Sequence, residues 1–162
     1  MSPSTRTLGS RTVSGILLGL LVLGVVLLAF ENVPGTSFRS ANVELFAVFI
    51  LPLAISLVAY VGLGRSVVWW EIALLTVWGA FGVAVTIFVG FLATMGTPGG
   101  YPGAAAKFVR DVAMFLALTV GLGVPYGLAG RLRREHPRWA VASALGAPVG
   151  SLVLFNVVAV AM

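Results

Sequence analysis

The chain has 162 residues, of which 59% are hydrophobic and only 9% charged, against roughly 25% charged in an ordinary soluble domain. Ten Lys or Arg and five Asp or Glu cannot clothe a soluble core of this size, and a mean hydropathy of +1.07 places the sequence among integral membrane proteins. Cysteine is absent, which excludes disulfides, thiolate metal sites, a Cys nucleophile and palmitoylation, and the net charge of +5 is too thinly spread between apolar runs to be a nucleic-acid footprint.

A hydrocarbon layer about 30 Å thick needs roughly 20 apolar helical residues. Cutting the chain where charges and turn formers interrupt the apolar runs gives five spans, at residues 13–30, 43–63, 67–95, 112–130 and 140–162. They predict an all-α, polytopic membrane bundle in a single domain, with connections of at most 16 residues. The first span follows Arg6 and Arg11, yet its apolar core at 15–30 is long for a signal peptide. Ala29-Phe30-Glu31 also lacks the small-x-small cleavage pattern, so the span reads as a retained anchor.

The second span begins near Glu44 and carries Pro52. The third, at 29 residues, would measure about 43 Å as a straight helix and must tilt or project. Trp69 and Trp70 at its start suit an interfacial belt. The fourth helix is expected to start before the membrane, because 104–111 contains no breaker, and Lys107 and Asp111, four residues apart, are placed to pair at the surface. The fifth holds Pro148 and Asn156. Pro52, Pro125 and Pro148 each remove a backbone hydrogen bond within a span and predict kinks that serve packing.

Alternate connections divide the ten Lys and Arg residues seven to three. The seven share a side with the N-terminus, so the positive-inside rule predicts the N-terminus in the cytoplasm and the C-terminus outside, in the plasma membrane. Helices in lipid gain nothing by hiding apolar surface from water, and close approach depends on small residues. Four-residue spacing of such residues occurs at Gly15 and Gly19; at Gly82, Thr86, Gly90 and Thr94; at Thr119, Gly123 and Gly127; and at Ala142, Gly146 and Gly150. Three of these stripes lie in the inner half of the membrane, as expected if they pack against one another within one bundle rather than between copies.

Ionisable groups inside a membrane are costly and are functional candidates by default. Glu71, just past the two tryptophans, is the best of them: a proton or cation carrier, the partner of an inner-side arginine, or an interfacial carboxylate. Asn156 is the only amide within a span and suits an interhelical hydrogen bond or a place on an ion pathway. No buried charge pair is evident from spacing. His136 is the only histidine and Asp111 the only aspartate, and the topology puts them on opposite faces, which excludes a Ser-His-Asp triad. A bis-histidine haem and a retinal Schiff base lack their residues, and phosphate-binding glycine motifs are absent, so no cofactor or metal is expected.

The densest charge lies in Arg131, Arg133, Arg134 and Arg138, interrupted by Glu135. Such a cluster sets topology, and it can also attract anionic headgroups on the inner side or an acidic partner. The expected partners are the bilayer, its anionic lipids, and other membrane subunits or a second copy. The sequence leads to a non-enzymatic multi-pass protein acting as an accessory or scaffolding component. The alternative is a small oligomeric channel or transporter with its pathway near Glu71 or Asn156.

Overall fold

A computed structural model describes residues 10–32, 41–64, 67–94 and 103–161. Regular structure among them is entirely helical: α1 (Ser10–Asn32), α2 (Ala41–Leu45), a π-helical turn (Phe46–Ile50), α3 (Leu51–Leu63), α4 (Trp69–Thr94), α5 (Ala104–Leu132) and α6 (Pro137–Ala161). The second span is built from α2, the π turn and α3, so five helical spans are long and apolar enough to cross a membrane. The chain is an all-α, multi-pass membrane bundle.

Local chemistry explains where these helices bend and start. Pro52 has no N–H, and its ring presses on the carbonyl four residues back. The wider turn at Phe46–Ile50 lies directly before it and accommodates that conflict inside the span. At the start of α4, the Glu71 side chain accepts from the backbone N–H of Val68 at 3.2 Å, the reciprocal half of a capping box. The fourth helix does begin early, at Ala104, and with 29 residues it is the longest helix among the described residues. The third starts at Trp69, two residues into the 67–95 run.

Several hydroxyls within the spans turn back on their own helices, where the carbonyl one turn earlier is the nearest acceptor. Ser56 donates to the Pro52 carbonyl at 2.7 Å, Thr76 to Ile72 at 2.7 Å, Thr86 to Gly82 at 2.8 Å and Thr119 to Phe115 at 2.7 Å.

Helix α5 is the centre of the bundle. Its most extensive contact is with α6, followed by α3, and it also touches α1; α4 leans mainly on α6. Two apolar layers fill the interior. One joins Leu28, Val48, Leu51, Ile55, Phe115, Leu118 and Phe155, and the other Tyr60, Val83, Leu122, Tyr126, Ala129 and Ala147. Because successive spans alternate in direction, the bundle has an end carrying Gly64, Trp69 and residues 131–138, and an opposite end carrying Asn32, Glu44 and Asp111. These are called the arginine end and the aspartate end below.

Candidate functional site

Where small residues allow it, the helix backbones touch. A Cβ on Gly121 would lie 2.6 Å from Ser151 Cα and 2.8 Å from Ser151 N, and one on Gly150 would lie 2.8 Å from the Gly121 carbonyl oxygen. Helices α4 and α6, which run in the same direction, meet through Gly82 against Pro148, Thr86 against Ser151 with their hydroxyls 3.3 Å apart, and Gly90 against Phe155. Gly127 sits against Leu63, and Gly123 lies in ordinary contact with Ser56 Oγ at 3.5 Å. Three glycines of the predicted stripes stand differently. A Cβ on Gly15, Gly19 or Gly146 would meet nothing within 4 Å among the described residues, so no helix contact is seen there. Thr94 lies outside the residues whose side chains are described.

All the α4–α6 contacts just named lie from Gly82 onward, toward the aspartate end. Toward the arginine end the same two helices part, and a crevice of about 610 Å³ opens between them. Trp70, Leu74, Leu75, Val77 and Trp78 form its α4 wall, and Pro137, Ala140, Val141, Ala144 and Leu145 its α6 wall. Ala129 and Arg133 of α5 and Tyr60 of α3 also line it. Short alanine side chains on α5 and α6 leave this volume free. Tyr126 bridges the gap beneath it: its hydroxyl donates to the Leu75 carbonyl at 2.7 Å, reaching past Gly79, where a Cβ would lie 2.9 Å from that hydroxyl.

At the arginine end of the crevice sits Glu71, whose carboxylate joins three elements. Its Oε1 accepts from Nη2 of Arg133 on α5. Its Oε2 accepts from the Val68 N–H and, at 3.4 Å, from the Tyr60 hydroxyl on α3. Of the three readings of Glu71, carrier, arginine partner or interfacial carboxylate, the contact with Arg133 fits the second, and the Glu71 side chain is only 14% exposed. A carboxylate held by a guanidinium and two further donors is a fixed anion that ties α3, α4 and α5 together. The remaining arginines of the segment, Arg131, Arg134 and Arg138, are exposed beside it.

The aspartate end holds a second polar cluster that spacing alone placed at the surface. Lys107 Nζ is 2.8 Å from Asp111 Oδ2, so the expected pair forms, but Asp111 is buried, with its side chain 4% exposed. The reason is that α5 starts at Ala104, which carries Asp111 two turns into the helix and against α1. Asn32 Nδ2 donates to the same carboxylate at 3.5 Å, Glu44 lies 3.5 Å from Lys107, and Arg110 Nε is 3.8 Å from Asp111 Oδ1. Glu31 is buried nearby on α1, with Oε2 lacking a hydrogen-bond partner. Of the two ion pairs, Glu71–Arg133 and Asp111–Lys107, only Asp111 is a buried partner; the other three groups are partly exposed, so neither is a fully buried charge pair.

Asn156 does not make the interhelical bond expected of it. Its Nδ2 donates to the Leu152 carbonyl of its own helix at 2.8 Å, and its Oδ1 is buried without a partner. It stands level with Gly90, which is 19 residues beyond Glu71 on α4, or roughly 28 Å along the helix axis. The two residues considered for one pathway therefore lie toward opposite ends of the bundle. Among the described residues, no three His, Asp or Glu side chains gather as metal ligands.

No protein-family model matches the chain, and neither a curated protein nor a solved structure shows a significant likeness to it.

Proposed function

We propose that the chain is a non-enzymatic accessory or scaffolding component of a membrane complex, oriented with its arginine end in the cytoplasm and resident in the cell membrane. The observation that carries this reading is how the interior is filled. Between the two polar ends, Tyr126, Phe115, Leu28, Leu118 and Leu122 are fully buried and occupy the bundle axis. The carboxylates Glu71 and Asp111 are each matched by a cation. What the chain offers its surroundings is surface rather than a path or a reacting centre. Part of that surface is the small-residue face of α1 at Gly15 and Gly19, which nothing among the described residues occupies and which suits close approach by another helix.

Purification in mild detergent followed by mass measurement tests the proposal. A second, different membrane subunit held at fixed stoichiometry supports it. A homo-oligomer that conducts ions in reconstituted vesicles, with flux abolished by Glu71→Gln, overturns it in favour of a pathway protein.

A further inference from the structure

We propose that the crevice between α4 and α6 is a binding site for one anionic phospholipid, with an acyl chain between the two helices and the phosphate at the arginine end. Its volume of about 610 Å³ lies within the roughly 300–1,000 Å³ of small-molecule sites, which are mostly apolar with a few placed polar groups. The mouth is flanked by exposed Leu74, Val77, Val141 and Leu145, so a lipid tail enters sideways from the hydrocarbon without crossing a polar rim.

Charge at the crevice head selects the occupant. Arg133 and Pro137 line it, and Arg134 on the connection and Arg138 in the first turn of α6 adjoin them in sequence, both exposed. With Arg131 included, the four arginines of residues 131–138 stand against two carboxylates, Glu135 of the same segment and Glu71, an excess of two positive charges among these groups. Basic pockets between helices are the usual seats of acidic lipid headgroups. Glu71 fixes the Arg133 side chain in place, so the guanidinium is positioned before a lipid arrives. Trp69, Trp70 and Trp139 are exposed at the same end, which puts the headgroup level beside the arginines.

The proposal stands apart from the accessory reading, since neither a co-purifying subunit nor ion flux bears on it. Delipidated protein is mixed with phosphatidylglycerol or phosphatidylcholine of matched chains, and the adducts are counted by native mass spectrometry. The wild type is expected to retain phosphatidylglycerol at least fivefold better than phosphatidylcholine. Leu145→Trp, which fills the mouth from a lipid-facing position, should reduce phosphatidylglycerol retention at least fivefold. The double change Arg134→Gln with Arg138→Gln leaves the Glu71–Arg133 pair intact and should remove the preference for the anionic lipid. Val141→Trp provides a second block should Leu145→Trp fail to fold. Equal retention of the two lipids by the wild type, or undiminished phosphatidylglycerol binding in a folded blocked variant, overturns the proposal.

Discussion

Replacing Gly121 by alanine tests the α5–α6 contact on which the bundle is centred. The new Cβ would lie 2.6 Å from Ser151 Cα, whereas non-bonded carbons rest at about 3.5–4.0 Å. The obstacle is backbone, which no rotamer change can move, so the helices must part by about 1 Å. Overpacking of this kind costs about 1–3 kcal/mol. Part of it is offset, since alanine is better than glycine inside a helix by about 1 kcal/mol. Gly146→Ala is the matched control, because it changes the same residue type on α6 at a position where a Cβ meets nothing within 4 Å. It should be neutral or stabilising by about 0.5–1 kcal/mol. Reversible unfolding in mixed detergent and dodecyl sulfate, followed by circular dichroism, reads both. A Gly121→Ala variant as stable as Gly146→Ala would refute the close backbone approach.

Glu71→Gln keeps an acceptor for Tyr60 and Val68 but removes the anion facing Arg133, and should cost about 1–2 kcal/mol; a double-mutant cycle with Arg133→Gln should recover most of that as coupling. Asp111→Asn removes the buried anion that the partly exposed Lys107 holds and should cost about 1–2 kcal/mol by the same unfolding assay, with Lys107→Met on top of it adding little. Single cysteines at Glu135 and Gly103, both exposed, should label from opposite sides of the membrane, Gly103→Cys from outside; external labelling at Glu135→Cys would reverse the proposed orientation.

Hydropathy made the five spans legible because water and hydrocarbon sort side chains more strongly than any local preference. It could not assign neighbours. Four-residue spacing marks a helix face, yet the same spacing at Gly82 and Gly90 meets α6 while at Gly15 and Gly19 it meets nothing. Gly121, the tightest point of the α5–α6 contact, ends a further four-spaced run, Ala113, Ala117 and Gly121, that is not among the four stripes named from the sequence. Its reason lies across the interface, at Gly150 and Ser151. The burial of Asp111 escapes the sequence for a related cause: a charge before an apolar run reads as the water boundary, whereas α5 already starts at Ala104 and sets Asp111 against Asn32 of α1. An arginine partner for Glu71 was foreseeable from the basic segment. Which arginine serves depends on α5 continuing to Leu132, which turns Arg133 toward α4.

The central place of α5 also bears on how the protein is made. Spans enter the membrane in the order of synthesis, and the helix that contacts α1, α3 and α6 is the fourth to arrive. Before it does, α1 and α3 share only a modest interface, α3 and α4 a smaller one, and Phe115, Leu118 and Leu122 are not yet there to fill the space between them. A nascent chain that has emerged only as far as α4 is therefore a set of inserted but loosely associated helices. Release of α5 from the insertion machinery is the event that commits them to one arrangement, and α4 gains its principal neighbour only when α6 follows.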